Sequence, residues 1–323
     1  MQLNRSVLTE SYRKMRTIRA FEEKVHDLFE TGELPGFVHL YAGEEASAVG
    51  VCAHLDDEDR IVSTHRGHGH CIAKGCDIDG MMLELFGRRD GVCGGKGGSM
   101  HIADLSKGMM GANAIVGGGP PLACGAALAA KTLGTGKVAV TFTGDGGSNQ
   151  GTTLESLNLA SVWKLPMLFV FENNGYAEST GSGWSVAGGD IVRRADAFAM
   201  PGVQVDGFDF FAVHEAAAEA VARARRGDGP TLIEVKFGRF YGHHEGDAQT
   251  YRAKGEAERL RADFDCLKNF RQRVTEAALL SADELDAIDR EVDNAIEASV
   301  AAARKAAPPD PDVDLLTDVY IRY

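Results

Sequence analysis

KVAVTFTGDGGSNQG (Lys137–Gly151) and MLFVFENN (Met167–Asn174) are the two stretches whose reading decides the fold. Lys137 to Thr143 is a continuous apolar and β-branched run, which suits a strand buried on both faces. Met167 to Glu172 and TLIEVKF (Thr231–Phe237) read the same way. Between these runs, residues 148–164 place Leu154, Leu157 and Val162, and residues 209–226 place Val213, Ala217 and Val221, at helical spacing. Strand, helix, strand in repetition predicts an α/β fold, with a mostly parallel central sheet, right-handed crossovers and helices on both faces.

Outward from this centre, the ends of the chain read as helical. Leu8, Tyr12, Met15, Ile18, Phe21, Val25 and Leu28 recur every three or four residues between Val7 and Phe29, and Gly32 stops the pattern. Near the other end, Ser281 and Glu284 form a capping box, with Leu280 and Leu285 placed as its hydrophobic staple. A helix follows with Leu285, Ile288, Val292, Ile296 and Val300 on one face, a stripe that suits a core or a subunit interface. The expected division is an α/β domain over 1–255 and a helical C-terminal region over 256–323 at a subunit interface.

Composition narrows the function classes. The chain has 323 residues, a net charge of −13 and 34 Lys and Arg against 47 Asp and Glu. That field repels nucleic acid and anionic membrane, so neither is expected as a partner. An anionic ligand therefore needs a local device, such as a helix N-terminus, an arginine or a metal ion. Six cysteines form no CxxC pair, the N-terminus has no apolar signal region, and no run approaches a membrane span. A soluble, cytoplasmic chain with reduced thiols is the expectation.

Glycine is in excess, 39 residues where average usage predicts roughly 23. Eighteen of these lie between Gly87 and Gly151. Within that span GGKGGSMHIAD is too mixed for a linker and reads as an ordered loop. Further on, Gly144-Asp145-Gly146 follows its strand directly and Asn173-Asn174 follows the next, with 26 residues between the motifs. Alone, Asp-Gly after a strand is a common turn. Paired, the two motifs meet at the carboxyl ends of neighbouring parallel strands, where open α/β sheets bind ligands. Such strands lie about 4.8 Å apart, so Asp145 and Asn174 could share one ion. A carboxylate and an amide oxygen suit Mg²⁺, which keeps substrate phosphates among its ligands. An Asp beside an anion site repels it unless a cation bridges them, so the residues imply a metal together with a diphosphate. Helix N–H groups beginning near Ser148 would face the same way. Competing motifs are incomplete: Asp90 stands where a P-loop needs glycine, and the GxGxxG windows end in Met100 and Asn149.

The form GDGGSNQG…ENNGYAEST resembles the thiamin-diphosphate-binding signature. Over roughly Tyr12 to Tyr251 the chain is similar to the alpha subunit of the two-subunit, thiamin-dependent dehydrogenase components of 2-oxo acid dehydrogenase-type complexes. GFVHLYAGEEA (Gly36–Ala46), STHRGHGHCIAKG (Ser63–Gly75), GKGGSMHIAD (Gly95–Asp104) and FYGHHEGDAQTYR (Phe240–Arg252) look most like the acetoin dehydrogenase branch. The resemblance implies the thiamin-diphosphate-binding fold, with thiamin diphosphate and Mg²⁺ as cofactors. It makes Asp145, Asn174 and the backbone carbonyl of Tyr176 the metal ligands. Arg66, Gly146 and Gly147 would hold the diphosphate, Ala114 and Val116 would grip the aminopyrimidine through the backbone, and His65 would sit beside the cofactor. His39, His68 and His243 match positions at the substrate end or the diphosphate loop and would serve as catalytic groups, His243 also touching the cofactor. A near-neutral pKa suits imidazole to proton transfer at an alkoxide.

The implied reaction is cleavage of acetoin, with the two-carbon unit passed to a lipoyl-bearing dihydrolipoamide acyltransferase. The implied partner is a beta subunit, in a heterotetramer of two alpha and two beta chains that share the site. Three alternatives stay open: a pyruvate or branched-chain 2-oxo acid dehydrogenase alpha subunit, a non-catalytic structural subunit, and a zinc module at His65, His68, His70 and Cys71. The last lacks a recognised zinc spacing.

Overall fold

The apolar runs on either side of Asp145 become adjacent strands in the middle of one sheet. A computed structural model describes residues 4–318 of the chain. Its strands in chain order are β1 (Arg60–Val62), β2 (Ala139–Gly144), β3 (Met167–Asn173), β4 (Tyr176–Ala177), β5 (Thr180–Gly181), β6 (Gly202–Asp206) and β7 (Thr231–Lys236). Five of them form an all-parallel sheet in the order β1-β2-β3-β7-β6, and β4 and β5 make a small antiparallel hairpin. Register pairs Gly144 with Glu172, so the segments following β2 and β3 leave the sheet side by side.

Alternate residues of each central strand feed two separate cores, as burial on both faces requires. Val140, Phe142, Leu168, Val170, Ile233 and Val235 point into one; Ala139, Met167, Phe169, Phe171 and Leu232 point into the other. Thirteen helices surround the sheet among the described residues. The first six are α1 (Arg5–Glu30), α2 (Glu45–Cys52), α3 (His68–Lys74), α4 (Ile78–Leu85), α5 (Gly119–Leu133) and α6 (Gly151–Val162). The rest are the single turns α7 (Ser182–Ser185) and α8 (Arg194–Ala197), then α9 (Phe210–Arg225), α10 (Glu256–Asp263), α11 (Cys266–Glu276), α12 (Ala282–Lys305) and α13 (Pro311–Asp314). Helices α5 and α6 cover the second core, while α1, α2, α9, α11 and α12 close the first.

The helix expected over 148–164 starts later than its periodicity suggests. Gly147–Asn149 is a 3₁₀ turn, Gln150 is extended at φ −72° and ψ 141°, and the α-helix begins at Gly151. At the C-terminal end both halves of the Ser281–Glu284 capping box are present, and Leu280 and Leu285 are buried. The stripe from Leu285 to Val300 packs inside the chain, where α12 lies against α1 and α4. A buried clasp ties these outer helices to the body. Arg19 on α1 donates to Glu45 on α2 at 2.6 Å and to Asp265, the N-cap of α11, at 3.1 Å, with its guanidinium 4.8 Å from the centre of the Phe240 ring.

The glycine-rich loop is ordered around one carboxylate. Glu84, fully buried on α4, accepts from the backbone N–H groups of Cys93, Gly95, Gly97 and Gly98 at 2.7–3.0 Å. Gly95 can make this turn because it sits at φ +73°, and a side-chain carbon there would lie 2.6 Å from the Arg88 carbonyl. Among the described residues no helix is long and apolar enough to cross a membrane.

Candidate functional site

A cleft of about 340 Å³ opens where β2 and β3 end, walled by the loops after α1, β1 and β7. This is the carboxyl edge of a parallel sheet, and the strand order puts two loop ends side by side there. Gly144, Asp145, Gly146 and Gly147 form the floor after β2, and Asn174 and Tyr176 arrive after β3. His39, His65, Arg66, Ala114, Val116 and His243 line the walls. The structure thus brings together every residue named from the sequence as a cofactor or metal contact.

Asp145 is an exception to the rule that buried polar atoms are paired. Only 2% of it is exposed, and its Oδ2 has no hydrogen-bond partner. Burial raises its pKa to about 6, since desolvation disfavours the charged form. A cation at this oxygen would satisfy both the orphaned atom and the buried charge. Asn174 donates through Nδ2 to Glu44 at 3.0 Å, which leaves its Oδ1 on the side of the Tyr176 N–H, 3.4 Å away. The Tyr176 carbonyl accepts from Arg239 at 3.0 Å. One carboxylate oxygen without a partner, one amide oxygen and one carbonyl are a donor set that fits Mg²⁺.

The turn itself is closely packed. A side-chain carbon at Gly146 would lie 2.7 Å from Ala177, and one at Gly147 would lie 2.7 Å from Thr143, whereas Gly144 faces open space. The N–H groups of Ser148, Asn149 and Gln150 are used within the turn, each bonding back three residues at 3.2 Å. Candidate N–H donors to a diphosphate therefore narrow to Gly146 and Gly147, not the helix start near Ser148. Arg66 is buried, with Nη1 on the Leu40 carbonyl and Nη2 on the His243 carbonyl at 2.8 Å, and burial lowers its pKa to about 10.

Three imidazoles meet on the cleft wall. The ring of His39 stands 4.4 Å from that of His65 and 5.0 Å from that of His243, and His65 and His243 are 5.2 Å apart, all edge to face. Burial, followed by the positive fields of Arg66 and Arg239, lowers the pKa of His65 to about 3. Burial and Arg66 do the same to His243, also to about 3, and burial drives His39 down further. All three are neutral at physiological pH. Arg239 approaches His243 Nδ1 at 3.2 Å; arginine only donates, so this nitrogen accepts and the ring proton sits on Nε2. His39 Nδ1 is buried without a partner.

His68 does not join this group, a correction to its expected catalytic placement. It is fully buried, with Nδ1 3.0 Å from Glu22 and Nε2 2.9 Å from Ser99, so both nitrogens are committed in the core. His70 is likewise held, by Ser63 and Glu172. The zinc module weighed for this run of histidines has no geometry to support it.

Three cleft residues were not singled out in the sequence. Arg239, 1% exposed, reaches the carbonyls of Tyr176 and Glu178, the Tyr251 hydroxyl and His243. Glu44 is buried, and desolvation raises its pKa to about 8. Glu172, at the end of β3, gathers Tyr41, Ser47 and His70 on one oxygen. A residue type without a motif gave no signal for the first two; Glu172 could have been found as the polar end of an otherwise apolar strand.

Comparison with known proteins agrees with this geometry. The dehydrogenase E1 component family model matches residues 13–312. The chain is 62% identical over its whole length to the alpha subunit of acetoin:2,6-dichlorophenolindophenol oxidoreductase from Cupriavidus necator, covering 97% of that protein. It is 57% identical to the subunit of the same name from Bacillus subtilis, over 97% of this chain and 93% of the relative. The alpha subunit of the pyruvate dehydrogenase E1 component from Rhizobium meliloti is 40% identical over 96% of this chain and 89% of its own.

Proposed function

The chain belongs to the dehydrogenase E1 component family, and from that premise we propose that it is the alpha subunit of a thiamin-diphosphate-dependent oxidoreductase acting on acetoin. The enzyme cleaves acetoin and passes the two-carbon unit to the lipoyl group of a dihydrolipoamide acyltransferase. The observation that carries the reading is Asp145, whose buried Oδ2 lacks a partner at the one place where two strand ends and a cleft coincide. Identities of 62% and 57% to acetoin-named subunits, against 40% to a pyruvate-named one, support acetoin as the substrate.

When bound, thiamin diphosphate supplies a nucleophilic carbon that adds to a carbonyl and accommodates the electron pair released by bond cleavage. The chain's own residues do the rest. Asp145, Asn174 and the Tyr176 carbonyl hold Mg²⁺; Gly146, Gly147 and Arg66 hold the diphosphate, the arginine by its planar fork. The backbone at Ala114 and Val116 grips the aminopyrimidine, and His65 lies beside it. His39 Nδ1, with no partner of its own, accepts a hydrogen bond from the substrate hydroxyl as a neutral ring and so orients it. His243 presents its Nε2–H as a neutral donor to a substrate oxygen, its tautomer set by Arg239.

The partner is a beta subunit, in a heterotetramer of two alpha and two beta chains. With the α12 stripe buried inside the chain, any interface role of residues from 256 onward falls to their outward faces. A cytoplasmic location accords with six free cysteines. Co-expression with a candidate beta chain, followed by acetoin-dependent dye reduction, tests the reading. The complex is expected to turn over acetoin and alpha alone to be inactive. Preference for pyruvate would overturn the substrate, and failure of the complex to bind thiamin diphosphate would make the chain a structural subunit.

A further inference from the structure

We propose that His39, His65 and His243 form a second metal site, for a divalent transition metal of the zinc class, on the cleft wall built by the loops after α1, β1 and β7. The ligand atoms of these three residues all lie within 4.8 Å of one another. Three nitrogens around one tetrahedral zinc, each about 2.0–2.1 Å from the ion, stand about 3.3 Å apart, so ångström-scale ring rotation completes the set. The residues come from three distant loops, after α1, β1 and β7, so no sequence spacing could announce them.

The chemistry of the set agrees. Zinc binds neutral imidazole, and proton competition sets much of a histidine site's affinity. Here burial, the largest cause at all three, keeps the rings unprotonated at neutral pH, so no proton competes for the nitrogens. The guanidinium groups of Arg66 and Arg239 oppose any added cation. His39 is 7% exposed, and its Nδ1 lacks a partner within a group of other nitrogen donors. Metal capture displaces one contact, the 3.2 Å approach of Arg239 to His243; Arg239 keeps its three other acceptors. The carboxyl groups of Glu172 and Glu178 line the same cleft as its two arginines. Mg²⁺ does not compete, because a hard cation prefers the oxygen set at Asp145. Three histidines leave a fourth position for water or a substrate oxygen, so a bound zinc occupies the end of the cleft that receives the substrate.

This inference goes beyond the acetoin reading and has a readout independent of turnover. The alpha–beta complex in excess Mg²⁺ is titrated with Co²⁺ as the spectroscopic probe. One equivalent is expected to produce the visible absorption of low-coordinate, nitrogen-ligated cobalt, which Zn²⁺ then bleaches by displacement. His65→Gln is expected to weaken cobalt binding by at least about 100-fold. His39→Gln, checked for folding by circular dichroism, is the second variant and should behave alike. Zinc should also inhibit acetoin turnover competitively with substrate. Absence of the band at one equivalent, or its persistence in both folded variants, overturns the site. Calorimetric binding of thiamin diphosphate to the same samples reports the cofactor reading separately.

Discussion

Glu84 and Asp145 are both buried carboxylates set among glycines, yet their surroundings are opposite. Glu84 is surrounded by four backbone N–H donors contributed by its own chain, and nothing about it is left unfinished. Asp145 sits at a strand end with one oxygen unpaired beside an open cleft. The glycines serve different ends as well. At Gly95 they let the loop fold back on a carboxylate, and at Gly146 and Gly147 they let a turn press against Ala177 and Thr143 on the cleft floor. A carboxylate whose bonds are closed internally holds a loop in place, whereas one left open marks where a ligand must complete it.

Removing each carboxylate tests that contrast most strongly. Asp145→Ala is expected to weaken Mg²⁺-dependent binding of thiamin diphosphate to the complex by at least about 1,000-fold, or about 4 kcal/mol, read by calorimetry. Its melting temperature should hold or rise, because an unpaired buried charge disappears. Glu84→Ala should do the reverse, lowering stability by about 3 kcal/mol in denaturant unfolding because several backbone donors lose their acceptor, while the folded fraction still binds cofactor. A large stability loss in the first variant, or a loss of binding in the folded second, would erase the distinction.

Acid should separate the two sites by a smaller margin. As the proposed metal ligand, Asp145 would have to lose its proton to bind Mg²⁺, and its pKa is raised to about 6. Metal and diphosphate affinity is therefore expected to fall by about tenfold, ~1.4 kcal/mol, for each pH unit below 6, measured by titration calorimetry. Glu44 is an intermediate case, a cleft carboxyl with Asn174 as partner and a pKa raised to about 8. Between its unfolded value, near 4.5, and 8 the unfolded chain is ionised while the folded chain keeps the proton, so this group's stabilising contribution fades as pH rises. Glu44→Gln should remove that slope and gain on the order of a few kcal/mol at pH 8 over wild type, with no gain at pH 4.

Much of this architecture was legible from local pattern. The runs at Lys137, Met167 and Thr231 announced β2, β3 and β7 because strands buried on both faces are apolar throughout. The three-residue β1 is too short for any periodicity, and β6 alternates between half-buried and exposed positions at the sheet edge. Helix α2 is buried all round, so it has no polar face to reveal a helical repeat. At the site, the Asp145 and Asn174 motifs were legible because each follows its strand directly. His68 was not, since its partners Glu22 and Ser99 lie far away in the chain. Arg239 lies only four residues before His243, but an arginine at that spacing in a loop carries no motif, so its role in setting the tautomer of His243 was not legible.

The pairing of α1 with α12 also bears on how the chain is made. Helix α1 carries Leu8, Tyr12, Met15, Ile18, Phe21 and Val25 on one face, and α12, which covers much of that face, begins only at Ala282 and so is synthesised long after it. Throughout translation this apolar ridge has no final cover, and a nascent chain with such a ridge associates with its neighbours or with a chaperone. Stalling or truncation before residue 282 would therefore harm the cell through aggregation, whereas a tag appended after α13 would not uncover that ridge.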